Sequence, residues 1–261
     1  AGRAGVPVSL ARLNEMSDST PVLVNLKPVG NGYMEDLFAA GGMGALMREI
    51  KDLLHLEGQE RLKVEIDRLS APGKGLLVIT AHHGSWELVA STVALVSGKT
   101  FVALAKPSKL PEFTEVLDRL RRRGNTRVLW TDSKNLLRDM MTTLKQGGNL
   151  GFVMDQKPEG RMGPIVDFLG QPTEFVSGPG KLAARHQSAV IALFCMRTGP
   201  WEYRIEFETV VEAEHGIQDE LVLTQKMATA ITQAIQLYPE QWLWNYKRWR
   251  KTTLNPNLQK S

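Results

Sequence analysis

The residues best suited to chemistry lie in one short stretch, Leu76-Leu77-Val78-Ile79-Thr80-Ala81-His82-His83-Gly84-Ser85-Trp86-Glu87. An apolar run that reads as a strand ends in two histidines, a glycine turns the chain, and a helical pattern begins. Ligands of open α/β sheets bind at the carboxyl ends of strands, which is where this reading places His82 and His83. His82 and Glu87 are separated by a turn that can fold a carboxylate back against one imidazole nitrogen. A carboxylate there fixes the tautomer and stabilises the imidazolium formed when the other nitrogen takes a proton. No nucleophilic Ser or Cys stands in a motif such as G-x-S-x-G, so such a base would act directly on a substrate hydroxyl. Two other readings compete. A pair of histidines can close a strand end structurally, and His82, His83 and Glu87 could bind a metal. Adjacent strand residues point to opposite faces, and H-E-x-x-H spacing is absent, so no metal site is expected.

Further along, Asp155-Gln156-Lys157 follows a second apolar run, with Arg161 beyond Pro158 and Gly160. Lys157 and Arg161 are well placed to meet anionic groups, Arg161 by a two-pronged grip on phosphate. The plainer reading is a solvated loop in which Asp155 holds Arg161 or a backbone turn. Arg119, Arg121, Arg122 and Arg123 close a predicted helix, where cations favour the helix dipole; the same cluster could dock an acidic carrier protein. Trp242, Trp244, Tyr246 and Trp249 alternate with Lys247, Arg248, Arg250 and Lys251, a mixture suited to a bilayer interface. Some of these tryptophans are expected in the core.

These residues need a scaffold. Short β-branched runs alternate with helical stretches, the pattern of an α/β domain with a mixed sheet flanked by helices. Strands are predicted over Leu76 to Ala81, Phe101 to Ala105, Arg127 to Trp130, Leu150 to Met154, Ile165 to Phe168, Val190 to Met196 and Tyr203 to Thr209. Helices are predicted over Trp86 to Val96, Pro111 to Arg123, Ser133 to Gln146, Gly180 to His186 and Glu220 to Leu237. Residues 1–45, rich in Gly and Pro, read as an irregular arm, and 46–261 as one domain. Two amphipathic helices are predicted between Met43 and Leu69, broken at Gly58.

Composition narrows the function. The 261 residues carry 32 basic and 28 acidic side chains, a net charge of +4 without a long basic block, which argues against nucleic acid as a partner. A mild excess fits an anionic membrane surface or an acidic protein partner. No run of about 18 apolar residues is present to span a bilayer. Cys195, the single cysteine, lies in an apolar run and reads as a buried core thiol. The chain opens at Ala1 without a signal pattern, which leaves open an anchor preceding it.

Four segments in order carry a family resemblance over roughly residues 70 to 251. His82-His83-Gly84-Ser85-Trp86-Glu87 resembles the H-x4-D/E motif of the glycerolipid acyltransferase superfamily. Asp155-Gln156 with Gly160-Arg161, then Phe168-Leu169-Gly170-Gln171-Pro172 and Ser177-Gly178-Pro179, resemble segments of its bacterial lipid A late (lauroyl/myristoyl) acyltransferase branch. Tyr238-Pro239-Glu240-Gln241-Trp242-Leu243-Trp244 with Arg248-Trp249-Arg250 resembles the ending of that branch. Ser85 stands where the branch often has Asn, and Lys106 where it often has Arg before a proline. The resemblance implies a glycerolipid-acyltransferase-like fold with His82 and Glu87 catalytic and Asp155, Gln156, Lys157, Arg161 and Lys106 binding substrate. It implies acyl carrier protein or acyl-CoA as donor, a hydroxyl of a membrane glycolipid as acceptor, a lipid A precursor foremost, and no cofactor. The resemblance also implies that the ending packs beside the active site, with Trp242 or Trp244 supporting the fold and Lys247 and Arg248 facing lipid, and the expected place of work is the cytoplasmic face of the inner membrane. Phosphatidylinositol mannosides or lysophospholipids are the alternative acceptors, and a noncatalytic lipid-binding protein of the same fold is the alternative class. Backbone N–H groups near Gly84 or the Arg161 side chain would stabilise the oxyanion.

Overall fold

The computed structural model describes residues 55–70, 74–158, 163–199, 202–213 and 219–249, with only Ser9, Ala11, Asn31, Gly32, Tyr33, Glu35 and Asp36 before them. The chain divides into two compact units, Ala1–Leu53 and Leu54–Ser261. The expected irregular arm and the first predicted amphipathic helix therefore fall almost wholly outside the described residues.

Strand β2 (Leu76–Thr80) is buried at every position. A continuous apolar run is what a strand covered on both faces requires. Its parallel neighbours are β5 (Asn149–Val153) and β8 (Val190–Gly199). Beyond β5 lie β3 (Phe101–Ala105) and the edge strand β4 (Thr126–Trp130), both parallel. Beyond β8, β9 (Glu202–Val211) returns antiparallel and carries the short parallel strand β1 (His55–Glu57). The seven-stranded order is β1-β9-β8-β2-β5-β3-β4, and β6 (Ile165–Phe168) pairs antiparallel with β7 (Gln171–Glu174) in a separate hairpin. The sheet is mixed and flanked by helices, as expected from the sequence.

On one face, α1 (Gln59–Leu69) contributes Leu62, Ile66 and Leu69, and α2 (Trp86–Ser97) contributes Val89, Val93 and Ala94, against Leu76, Val78 and Ile191. On the other face, α4 (Leu136–Lys145), α5 (Gly178–His186) and α6 (Glu220–Leu237) cover Leu77, Ile79 and Ala192. Burying each such large aliphatic side chain stabilises the fold by roughly 1.5–3 kcal/mol. Between α2 and β4 in the chain, α3 (Pro111–Arg123) starts on a proline, whose fixed φ suits a first helical turn, and has no fully buried residue. Cys195 is buried in the sheet as expected, and burial pushes its thiol up to about 12.

One departure concerns the stretch before Gly58. Residues 55–57 form β1 rather than the end of a helix, and Val64 is exposed. Gly58, with φ at 98°, marks the strand-to-helix turn, and Leu62, Ile66 and Leu69 set the buried face instead.

Candidate active site

Parallel pairing aligns Thr80 with Val153. Two residues further on, His82 and Asp155 leave the carboxyl edge of the sheet side by side. His82 Nδ1 lies 2.8 Å from Asp155 Oδ1, and the other carboxylate oxygen accepts a 2.8 Å hydrogen bond from Trp242 Nε1–H. Burial opposes the charge on Asp155, but the hydrogen bond and charge of His82 and the indole donor outweigh it, holding the carboxyl below its usual range. With the ionised carboxylate accepting from Nδ1–H, the tautomer that fits leaves Nε2 unprotonated, the form required of a base. The His82 ring meets the edge of Trp86, with centroids 5.1 Å apart.

This geometry corrects the expected pairing. Glu87 does not orient His82: its two oxygens accept from Arg121 Nη2 and Nε at 2.6 and 3.1 Å. The first turn of α2 carries Glu87 toward α3, so that the pair clasps these helices together. Asp155, expected to hold Arg161 or a turn, is the partner of the histidine.

His83 leaves the strand on the opposite face, as anticipated. It is completely buried, its Nε2–H donates to the carbonyl of Ala234 at 3.0 Å, and its ring stands edge-on to Phe194. Burial keeps it neutral, lowering its pKa despite the Ala234 carbonyl and the charge of Asp155.

The loop that carries both histidines is tied on two sides. Gly84 N–H donates to Gln241, Ser85 N–H to the Cys195 carbonyl, and Leu243 N–H to the His82 carbonyl. His83 and Trp242 form an antiparallel bridge. Gly84 has φ at 58°, and a Cβ there would sit 2.3 Å from the Cys195 oxygen, so the turn demands glycine. The N–H groups of Gly84 and Ser85 are thereby spent, which removes them as the expected oxyanion donors.

A cavity of about 560 Å³ opens beside His82, lined by α2 and strands β2, β3 and β5 and also by Leu136 and Met140 of α4 and Pro179 of α5. Its polar members are Glu87, Lys106, Arg121 and Gln156 together with His82 and three threonines, whereas Val78, Val89, Ala103, Leu104 and Met140 make much of the wall apolar. Lys106 and Gln156, both expected to bind substrate, thus line the same cavity as His82. Lys157 is half-buried, and its backbone N–H donates to the Tyr246 hydroxyl at 3.2 Å. Arg161 lies outside the described residues. Arg119 and Arg122 pair with Glu115 and Asp118 one turn earlier on α3.

The expectation that Arg248 faces lipid is overturned. It is 3 % exposed, its Nη2–H donates to the Glu174 carbonyl, and its guanidinium lies over the rings of Phe168 and Phe175, at 5.8 and 5.1 Å from their centroids. Aromatic faces attract a cation that has lost its water. Trp242 is buried, while Trp244, Lys247 and Trp249 are exposed.

Comparison with known proteins adds two findings. The family model described as bacterial lipid A biosynthesis acyltransferase matches residues 38–251, which include His82, Asp155 and Trp242. A second model, the N-terminal region of dihydroxy-acid/6-phosphogluconate dehydratases, matches residues 1–67. The chain is similar to a dihydroxy-acid dehydratase of Ruminiclostridium cellulolyticum, at 28% identity over 194 residues, 69% of this chain and 32% of that protein. It also resembles a dihydroxy-acid dehydratase of Acetivibrio thermocellus, at 42% over 59 residues (22% of this chain, 11% of that protein), and a 6-deoxy-6-sulfo-D-gluconate dehydratase of Pseudomonas putida, at 49% over 57 residues (22% and 10%). The chain spans about a third or less of the length of these curated relatives.

Proposed function

The chain belongs to the bacterial lipid A biosynthesis acyltransferase family, and on that premise we propose that it moves a fatty acyl chain from a carrier thioester to a hydroxyl of a lipid A precursor. The observation that carries the reading is the His82–Asp155 pair at an apolar cavity. The acceptor hydroxyl gives its proton to His82 Nε2 as its oxygen forms a bond to the thioester carbonyl carbon. The tetrahedral intermediate collapses, the carbon–sulfur bond breaks, and the imidazolium returns the proton to the departing thiolate. Asp155 stabilises the imidazolium in between, an arrangement typically worth about 10²–10⁴-fold for general acid–base catalysis. Lys106 and Arg121, on the cavity wall, supply positive charge for the oxyanion and for anionic parts of the substrates.

Acyl carrier protein or CoA presents the donor, and the acceptor stays in its membrane. The chain works at the cytoplasmic face of the inner membrane, held at the surface by groups such as Trp244, Lys247 and Trp249. Among the described residues no helix is long and apolar enough to cross a membrane. His82, Asp155 and Trp242 lie beyond residue 67, outside the segment matched by the dehydratase family model.

The test is purified protein with acyl carrier protein or CoA thioesters and a lipid A precursor, followed by mass spectrometry. Expected is a product heavier by one acyl group, absent with His82→Ala. Acylation of a phosphatidylinositol mannoside or a lysophospholipid instead would reassign the acceptor. Lipid binding without transfer, unchanged in His82→Ala, would make the chain a noncatalytic lipid-binding protein.

A further inference from the structure

On the face of the sheet covered by α2, the cross-strand register builds horizontal rows. Val78, Gly151 and Ala103 form one row, and Leu76, Asn149 and Phe101 the row beneath it. Gly151 and Ala103 leave open space above the strands. Phe101, 4 % exposed, leans out of its own row into that space: a Cβ on Gly151 would lie 2.2 Å from the tip of its ring. Under the ring the structure turns polar, with Asn149 Nδ2–H donating to Ser97 Oγ at 3.0 Å and that hydroxyl donating to the Val93 carbonyl at 2.6 Å. Leu76 beside them is completely buried. The cavity that opens at His82 includes Phe101 in its wall.

We propose that the Phe101 ring, seated over Gly151, is the floor of the acyl-chain cavity and sets the length of chain the protein transfers. The inference rests on the acyl-transfer reading above. From His82 to Val78, the row the ring invades, is four residues, or roughly 13 Å at about 3.3 Å per residue. An extended hydrocarbon advances about 1.3 Å per carbon, given bonds of about 1.5 Å. About ten carbons therefore reach from the level of the base to the ring, and chains beyond about twelve must fold or leave their ends in water, where each exposed methylene forfeits its burial. Polar groups beneath the ring oppose deeper entry because displacing them leaves buried donors and acceptors unpaired.

The test is kcat/KM for a series of saturated acyl-CoA thioesters from about eight to about eighteen carbons, spacing the chain ends at roughly 1.3 Å per carbon. The parent optimum is expected near ten to twelve carbons. Phe101→Ala opens one further row, roughly 7 Å, and should lengthen the optimum by about four to six carbons. Ala103→Leu, which fills the row above, should shorten it. Phe101→Leu keeps an apolar contact with Gly151 and carries the test, with a smaller lengthening, if the alanine variant does not fold. Folded Phe101 variants with the parent's length profile would overturn the floor while leaving acyl transfer standing; a parent that transfers no chain of any length from either CoA or acyl carrier protein would instead remove the acyl-transfer reading beneath it.

Discussion

Trp242 donates its indole N–H to the same carboxylate that holds His82, so a single buried Asp155 joins His82 to the segment around Trp242. A hydrogen bond to a charged group is worth about 1.5–3 kcal/mol, roughly ten- to a hundredfold in rate if felt fully at the transition state. Trp242→Phe keeps the ring and removes the donor. We expect kcat to fall by at least about tenfold with KM little changed, since the contact affects the imidazolium rather than bound substrate. A change confined to KM would place the indole in substrate binding instead.

Asp155→Asn and Glu87→Gln separate the two carboxylates. Asp155→Asn should lower kcat by about 10²–10⁴-fold, because the amide neither fixes the base form of His82 nor stabilises its cation. Glu87→Gln loses one arm of an ion pair whose carboxylate side is half exposed, an interaction worth about 0–1 kcal/mol. Its effect should stay below about tenfold and show mostly as a lower melting temperature. Steady-state kinetics on the two purified variants decides; equal losses would return Glu87 to the catalytic role.

Stability should decline in mild acid because His83 is buried neutral. Its folded pKa lies below the ordinary value, so between that ordinary value, about 6.5, and the lower folded one the unfolded chain binds the proton and the native chain does not. The folded state is therefore most favoured above about pH 6.5 and loses stability as pH falls. His186, lowered by burial and by the charges of Lys145 and Arg185, adds in the same direction. Melting curves from about pH 8 to about pH 5 should show the slope, and His83→Gln should flatten it. An unchanged slope in that variant would show that His83 does not titrate in this window.

Arg248 and Lys247, adjacent in sequence, should respond in opposite ways to charge reversal. Arg248→Glu buries a carboxylate against the Glu174 carbonyl and two phenyl rings, a loss of at least about 3 kcal/mol that should abolish soluble expression. Lys247→Glu, at an exposed position, should leave the unfolding free energy within about 1 kcal/mol of the parent and weaken binding to anionic vesicles. Co-sedimentation at low and high salt measures the second effect. Binding indifferent to Lys247→Glu and to salt would remove this surface from membrane attachment.

The elements were legible where burial or punctuation left a mark. The apolar runs of Leu76–Thr80 and of residues 190–196 follow from cover on both faces, and Pro111 and Gly124 bracket α3. The strand Gln171-Pro172-Thr173-Glu174 left none: the Leu169-Gly170 turn, with both residues at positive φ, and pairing with β6 hold it, not an apolar alternation. Within the site, the strand end marks His82, but proximity along the chain points to Glu87 and not to its actual partner, Asp155. Parallel neighbours end at the same level, so residues equally far past the paired Thr80 and Val153 meet in space. That count, applied to His82 and Asp155, was the available signal. Arg248 misled because charge says nothing of the aromatic rings that fold back over it.

The bridge between His83 and Trp242 also orders events in time. Chains emerge from the ribosome amino end first, and the strand bearing His82 is made long before the segment that pins it. Until Trp242 is out and paired, the base lacks both its fixed loop and the indole on its carboxylate. The central sheet can form during synthesis, but the acid–base pair is completed by one of the last described segments to leave the ribosome. A nascent chain cut before Trp242 would thus hold every strand of the sheet and still be catalytically mute.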